Sequence, residues 1–163
     1  MAPAASALVE VHRTDGYPVE GVDRPEDWLS PIGLLGAWVA IVDSRVVGHV
    51  AITRPSGEGV VELWNEQDEG GERGVGVLVR LFVLADARNR SIGKSLVRAA
   101  VNYAATNDLR LVLDVMVKDD SAIRLYERLG WRRIGRITHP FGEGQRQEAL
   151  AYVSPDPGNE GKR

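Results

Sequence analysis

Arg88-Asn89-Arg90-Ser91-Ile92-Gly93-Lys94 separates a valine-rich run from a stretch with helical spacing. The run before it, Val77-Leu78-Val79-Arg80-Leu81-Phe82-Val83-Leu84, reads as a buried strand because β-branched and aromatic residues favour that environment. After it, apolar residues at Ile92, Leu96, Val97, Ala100, Val101 and Ala104 recur at the spacing of one helix face. A strand therefore feeds a helix through a short turn of small and basic residues. Such a helix start presents N–H groups with no intrahelical acceptor, at the positive end of the helix dipole, and both favour phosphate. Arg88, Arg90 and Lys94 add positive charge. Together these features imply a pocket for a phosphorylated cofactor.

Working outward, a chain of 163 residues with 44% hydrophobic and 26% charged residues is expected to form one globular domain with a full core. The net charge of −3 argues against a broad basic face for nucleic acid. The absence of cysteine removes disulfides, thiolate nucleophiles and cysteine metal sites. His12, His49 and His139 have no metal-ligand spacing, so no metal is expected. The first residues lack the basic start and apolar stretch of a signal peptide, and no run approaches the ~18–20 apolar residues that span a bilayer. The expectation is a cytoplasmic protein with no membrane partner.

The pattern alternates strands and helices. Ala7–Arg13 reads as a first strand, and Thr14–Ser30 as a loop with a short helix at Pro25–Leu29. Ala37–Val42 and Arg45–Ile52 form a hairpin through Asp43-Ser44. Pro55–Gly59 breaks the sheet. Val60–Gln67 is ambiguous: Val60, Val61, Leu63 and Trp64 suit one helical face, but the segment is short. Glu66–Arg73 is an acidic, glycine-rich loop. The strand Val75–Leu84 and the helix Ile92–Thr106 follow, then a strand Leu111–Met116. Asp119-Asp120-Ser121 supplies N-cap residues for a helix through Leu129, with Gly130 as its C′ stop. Trp131–Ile137 and Glu148–Val153 close the sheet around a loop containing Phe141–Arg146. Residues 1–153 are expected to be a single domain and 154–163 a frayed tail.

Two nucleotide-binding motifs fail here. Gly93-Lys94-Ser95 imitates the end of a Walker A loop, but Arg88 stands where that motif needs glycine. The dinucleotide pattern G-x-G-x-x-G is absent from this turn. Instead, Leu81 to Lys94 resembles the acetyl-CoA loop of the GNAT superfamily of N-acetyltransferases. That loop runs Arg or Gln, two residues, Gly, one residue, then Gly or Ala, and Arg88, Ser91 and Gly93 fill the three positions. Ser91 departs from glycine; if the position needs a positive φ, serine carries strain there. A second segment, Asp119 to Trp131, is similar to the family's other cofactor segment, in which Asn precedes Ala by three residues and Tyr by seven, followed by Glu-x-x-Gly-aromatic. Asp119 replaces that Asn and cannot donate a hydrogen bond while ionised. Phe141-Gly142-Glu143-Gly144 resembles a hairpin of small bacterial members.

The resemblance implies an α/β (α+β) GNAT fold: a mixed, mainly antiparallel twisted sheet of about six to seven strands with helices on both faces. Its two central strands would splay to admit the pantetheine arm. The implied activity is transfer of an acetyl group from acetyl-CoA to a primary amine. With no cysteine for an acyl-enzyme, direct attack in a ternary complex is expected. The backbone of Leu81, Phe82 and Val83 would pair with the pantetheine arm, and Arg88, Asn89, Arg90, Ser91, Ile92, Gly93 and Lys94 would wrap the pyrophosphate. Asp119 belongs to the cofactor segment. Tyr126 would protonate the departing CoA sulfur; a phenol, with an ordinary pKa near ~10, stays protonated at neutral pH. Asp114 and Glu62 are both open as general base, as is a water chain.

Plainer readings stand beside these. Tyr126 on an apolar face suits core packing, Asp114 a strand-end acceptor, and Glu62 a solvated charge. Arg80, inside an apolar strand, needs a partner. His49 reads as a surface or internally satisfied histidine. Trp28 and Trp64 suit either the core or the acceptor pocket. The alternatives to an acetyltransferase are a CoA-binding module without catalysis and an enzyme using a longer acyl-CoA. The acceptor amine, small molecule or protein, is left open, as is assembly into a homodimer.

Overall fold

A computed structural model of the chain describes residues 31–67, 74–88, 91–141 and 145–156. The expected first strand Ala7–Arg13, the loop Thr14–Ser30 with its short helix, most of the acidic loop, Asn89, Arg90, Gly142–Gly144 and most of the tail lie outside the described residues. The elements are β1 (Leu34–Val42), β2 (Arg45–Thr53), α1 (Gly59–Gln67), β3 (Gly74–Val83), a 3-10 turn (Ala85–Ala87), α2 (Ile92–Thr106), β4 (Leu109–Met116), α3 (Asp120–Arg128), β5 (Arg132–Phe141) and β6 (Gln145–Val153). Six strands form a sheet in the order β1-β2-β3-β4-β6-β5. Of the strand pairs with a defined register, β3/β4 is parallel and β1/β2, β4/β6 and β5/β6 are antiparallel. This is the expected mixed α/β architecture. Among the described residues no helix is long and apolar enough to cross a membrane.

The described residues fall into two compact units. The first contains the described residues up to Thr53 and those of Leu78–Ala100. Its hairpin turns at Asp43-Ser44, with φ of 51° and 64°. Two successive left-handed residues make a type I′ turn, whose twist matches that of the flanking strands; Asp tolerates this conformation better than most residues. From Val47 to Thr53 every residue of β2 is buried, so this strand is covered on both faces. That explains why RVVGHVAIT carries apolar residues at both parities rather than alternating. β1 begins three residues before the expected Ala37, because Leu34 and Gly36 still find partners at Thr53 and Ile52.

The second unit contains the described residues of Arg54–Val77 and those from Val101 onward. Val60–Gln67, ambiguous in sequence, lies within the helix α1. Val60, Val61 and Trp64 share one buried face at helical spacing. Gln67 Nε2 donates to the Ile134 carbonyl at 2.8 Å, tying the end of α1 to β5. Arg110 lays its guanidinium over the Trp64 ring, 5.3 Å from the centroid, and donates twice to the Ser154 carbonyl at 2.9 and 2.7 Å. Ser154 returns a backbone N–H to Leu111 O at 2.8 Å, which fastens the end of β6 to β4.

Helix α3 ends as expected at Gly130, whose φ is +86°. The Gly130 N–H donates to Glu127 O at 3.2 Å and the Trp131 N–H to Tyr126 O at 3.0 Å, a Schellman closure that favours glycine. The β5/β6 hairpin is longer than the sequence predicts. Pro140 pairs with Arg146 and Phe141 with Gln145 where a loop was expected. Proline, which lacks an N–H, is tolerated because β5 is the edge strand.

Candidate functional site

In the first unit, β3 leads through the 3-10 turn and Arg88 into α2. The Leu84 N–H donates to Val47 O of β2 at 2.8 Å, and Phe82 O also faces β2, lying 3.1 Å from where a Cβ on Gly48 would be. Peptide groups alternate edges along a strand. The N–H and C=O of Leu81 and Val83 therefore point to the edge away from β2. Arg88 Nε donates to Val83 O at 3.1 Å, on that same edge. Phe82 is buried and Leu81 and Val83 are partly exposed.

Ser91 has φ of 58°, so the serine that stands in place of glycine does adopt the left-handed backbone. A non-glycine residue there costs about 1–2 kcal/mol. The Ser91 carbonyl accepts the Ser95 N–H at 3.0 Å and the Ser95 hydroxyl at 3.1 Å, starting α2. The N–H groups of Ile92, Gly93 and Lys94 therefore precede the first N–H that finds an intrahelical acceptor, that of Ser95. They form the amide cluster expected from the sequence, and the first turn holds no acidic side chain to oppose an anion.

Arg80, singled out as the odd residue of its strand, has φ of 59° in the middle of β3. Its carbonyl accepts from His49 Nδ1 at 2.8 Å. His49 is 3% exposed and lies stacked on the Phe82 ring, centroids 5.6 Å apart at 15°. A carbonyl oxygen only accepts, so Nδ1 must carry the proton. Burial pushes the His49 pKa below 6.5, the Arg80 hydrogen bond opposes that shift, and the Arg80 charge reinforces it. His49 is thus the internally satisfied histidine of the two sequence readings. A histidine inside a strand with apolar residues at both parities was the available signal for its importance.

The second unit holds the proposed chemistry-bearing side chains Glu62, Asp114, Asp119 and Tyr126. Glu62 is exposed in the first turn of α1. Asp114 is half-buried in β4, paired with Ala151. Asp119 is the N-cap of α3, its carboxylate accepting the Ala122 N–H at 3.2 Å. Tyr126, seven residues on, is 5% exposed. It packs against Trp131, with centroids 5.5 Å apart, and Tyr152, at 6.3 Å.

Around it lies a network that sequence reasoning missed. Tyr152 donates its hydroxyl to Glu127 Oε1 at 2.8 Å, and Arg133 approaches both the Tyr152 oxygen and Glu127 at 3.4 Å. Burial raises the Tyr152 pKa, and the Arg133 hydrogen bond opposes it. The three residues lie on α3, β5 and β6, so no local motif could reveal them. Trp64 is buried beneath Arg110. Among the described residues no cluster of three or more His, Cys, Asp or Glu side chains could hold a metal ion.

The model of the acetyltransferase (GNAT) family matches residues 5–131. Mycothiol acetyltransferase of Rhodococcus jostii is 30% identical over 112 residues, 68% of this chain and 33% of that protein. N-acetylaspartate synthetase of Xenopus tropicalis is 29% identical over 114 residues, 69% of this chain and 36% of that protein. The chain thus spans about a third of the length of these curated relatives. Among solved structures, Arabidopsis thaliana NAA60 in complex with acetyl-CoA shares the fold with a TM-score of 0.72 at 22% identity, over 92% of each chain. The Escherichia coli ribosomal-protein-S18-alanine N-acetyltransferase does so with a TM-score of 0.64 at 15% identity, covering 94% of this chain and 86% of that one. A family match that takes in both the strand–loop–helix segment and the helix carrying Tyr126 settles the assignment: the chain belongs to the GNAT acetyltransferase family.

Proposed function

We propose that this protein transfers an acetyl group from acetyl-CoA to a primary amine, with residues 1–153 acting as one catalytic domain. The observation that carries the reading is the junction of β3 and α2. Outward-facing peptide groups at Leu81 and Val83 are followed by the amide cluster of Ile92, Gly93 and Lys94. That sequence of donors and acceptors suits an amide-bearing arm that ends in a pyrophosphate. Leu81 and Val83 would hydrogen-bond the arm. Ile92, Gly93 and Lys94 would take the pyrophosphate oxygens, joined by Arg88 and, from the sequence resemblance, by Asn89 and Arg90.

The chemistry requires a neutral amine nitrogen to form a bond to the thioester carbon while the carbon–sulfur bond breaks. Tyr126 would give its phenolic proton to the departing sulfur, and Asp114 or Glu62 would take the proton released by the amine. Attack would be direct, because the chain has no cysteine to carry an acyl group. The names of the relatives run from mycothiol and N-acetylaspartate to an alanine of a ribosomal protein, so the acceptor is proposed only as a primary amine.

The burial of Tyr126 among Trp131 and Tyr152 favours one second reading, a CoA-binding module without turnover. Acetyl-CoA turnover over a panel of amines, read by mass spectrometry for the wild type and Tyr126→Phe, separates the two. Turnover that falls by about 100-fold in Tyr126→Phe, with CoA affinity unchanged, supports the acid role. CoA binding without turnover on any amine supports the second reading. An unchanged rate in Tyr126→Phe refutes the proton-donor assignment.

A further inference from the structure

We propose that His49 is a positioning residue for the acetyl-CoA strand: its Nδ1–H holds the Arg80 carbonyl and thereby fixes the left-handed kink that aims the peptide groups of Leu81 and Val83. This inference rests on the cofactor reading above and adds a residue to it. The kink is at Arg80, with φ of 59°. Arginine has no intrinsic preference for that conformation, so the surrounding structure must impose it. The kink also turns the Arg80 carbonyl to a side-chain donor, His49 Nδ1, at 2.8 Å. Without that donor the strand would gain by relaxing into regular extended geometry. Relaxation at Arg80 would change the direction of the next peptide groups, Leu81 through Val83, which are those proposed to meet the pantetheine arm.

Three further observations tie His49 to this task. Its ring lies flat on Phe82, so the same side chain braces both sides of Leu81. Residue 48 is glycine, and a Cβ there would sit 3.0 Å from Leu96, 3.1 Å from Phe82 O and 3.3 Å from Ile92. A side chain at residue 48 would press on Phe82 O and on the start of α2, so glycine there favours the close approach by which His49 reaches Arg80. The Leu84 N–H donates to Val47 O at 2.8 Å, closing the far end of the braced segment. β2 therefore acts as a splint for Arg80–Leu84, with His49 as its polar pin.

The test uses the full chain and CoA itself. His49→Phe keeps a flat ring against Phe82 and removes the donor; His49→Asn restores an N–H near the Nδ1 position. Isothermal titration should show CoA affinity about 10-fold weaker in His49→Phe and within about threefold of wild type in His49→Asn, with KM for the amine unchanged. Glycine takes a positive φ without strain, so adding Arg80→Gly to His49→Phe should recover most of the lost affinity, measured against Arg80→Gly alone. A merely structural histidine would not be rescued in this way. In the wild type, the His49 Nδ1–H resonance should be protected from exchange and should shift when CoA is added.

CoA affinity of His49→Phe within about twofold of wild type, or a double variant as weak as His49→Phe, overturns the proposal. If His49→Phe does not fold, an unmoved Nδ1–H resonance in CoA-bound wild type overturns it instead. Failure of the wild type to bind CoA would overturn the cofactor reading and this inference with it, whereas CoA binding that ignores His49 overturns this inference alone.

Discussion

Ser91→Gly should stabilise the protein, which is the reverse of the usual effect of adding a glycine. Ser91 is exposed, so the substitution removes no buried side chain. Its φ of 58° lies in the left-handed region, where a Cβ crowds the following carbonyl at a cost of about 1–2 kcal/mol. Glycine relieves that crowding but gives the unfolded chain more freedom, worth about 0.4–1 kcal/mol in the opposite direction. The difference is a gain of about 0.5–1 kcal/mol, or roughly 1–4 °C in Tm for a domain of this size. Urea unfolding at constant m-value measures it, with Ser91→Ala as the control. Alanine keeps the Cβ, so it should lie within about 0.5 kcal/mol of wild type. The strain belongs to the folded chain itself, so CoA affinity should change by less than about twofold. A Ser91→Gly variant less stable than Ser91→Ala would refute the reasoning, because that order is the one expected of a residue at negative φ.

Three other expectations come from single contacts. Asp119→Ala should cost about 1 kcal/mol by removing the carboxylate that caps the Ala122 N–H, while Asp119→Asn should cost much less; equal losses in urea unfolding would show that the cap is idle. Replacing Asp43-Ser44 by Asn-Gly should raise stability by about 0.5–1 kcal/mol, because both φ values are positive; a lower midpoint at unchanged m-value would contradict the I′ assignment. His49 is neutral in the folded protein because its pKa lies below the unfolded value of 6.5. The unfolded chain therefore takes up the proton first as pH falls. The stability from the neutral ring is full above about pH 6.5 and is lost below it, with a slope of up to about 1.4 kcal/mol per pH unit, until the folded pKa is passed. A histidine NMR titration that places His49 at 6.5 would remove this pH dependence, and one that places it above 6.5 would reverse the sign.

Features written in local chemistry were legible from the sequence. The Asp43-Ser44 turn, the α2 periodicity, the Asp119 cap and the Gly130 stop each depend on a few adjacent residues, and each lies where expected. Helix α1 was not legible, since nine residues with two adjacent valines suit either state and only packing against β4, β5 and β6 decides. The length of the β5/β6 hairpin was hidden because Pro140 discourages a strand reading unless the strand is known to lie at an edge. At the site, Ser91 could be flagged from its motif position, but the kink at Arg80 could not, because nothing about arginine signals positive φ. The His49–Arg80 pin and the contacts of Tyr152 with Glu127 and Arg133 join residues 19 to 31 positions apart. Spacing rules stop well short of such separations.

The parallel pairing of β3 with β4 also bears on how quickly this chain finds its fold. The β1/β2 hairpin closes a loop of two residues at Asp43-Ser44, whereas pairing Gly74 with Leu109 brings together positions roughly 35 residues apart, with α2 between them. Hairpins of the first kind form within microseconds, and closures of the second kind wait on the intervening helix. Amides of β2 should therefore gain protection early in refolding. Those of Gly74–Val77 should gain it late, which makes the start of β3 among the last parts of the molecule to be committed.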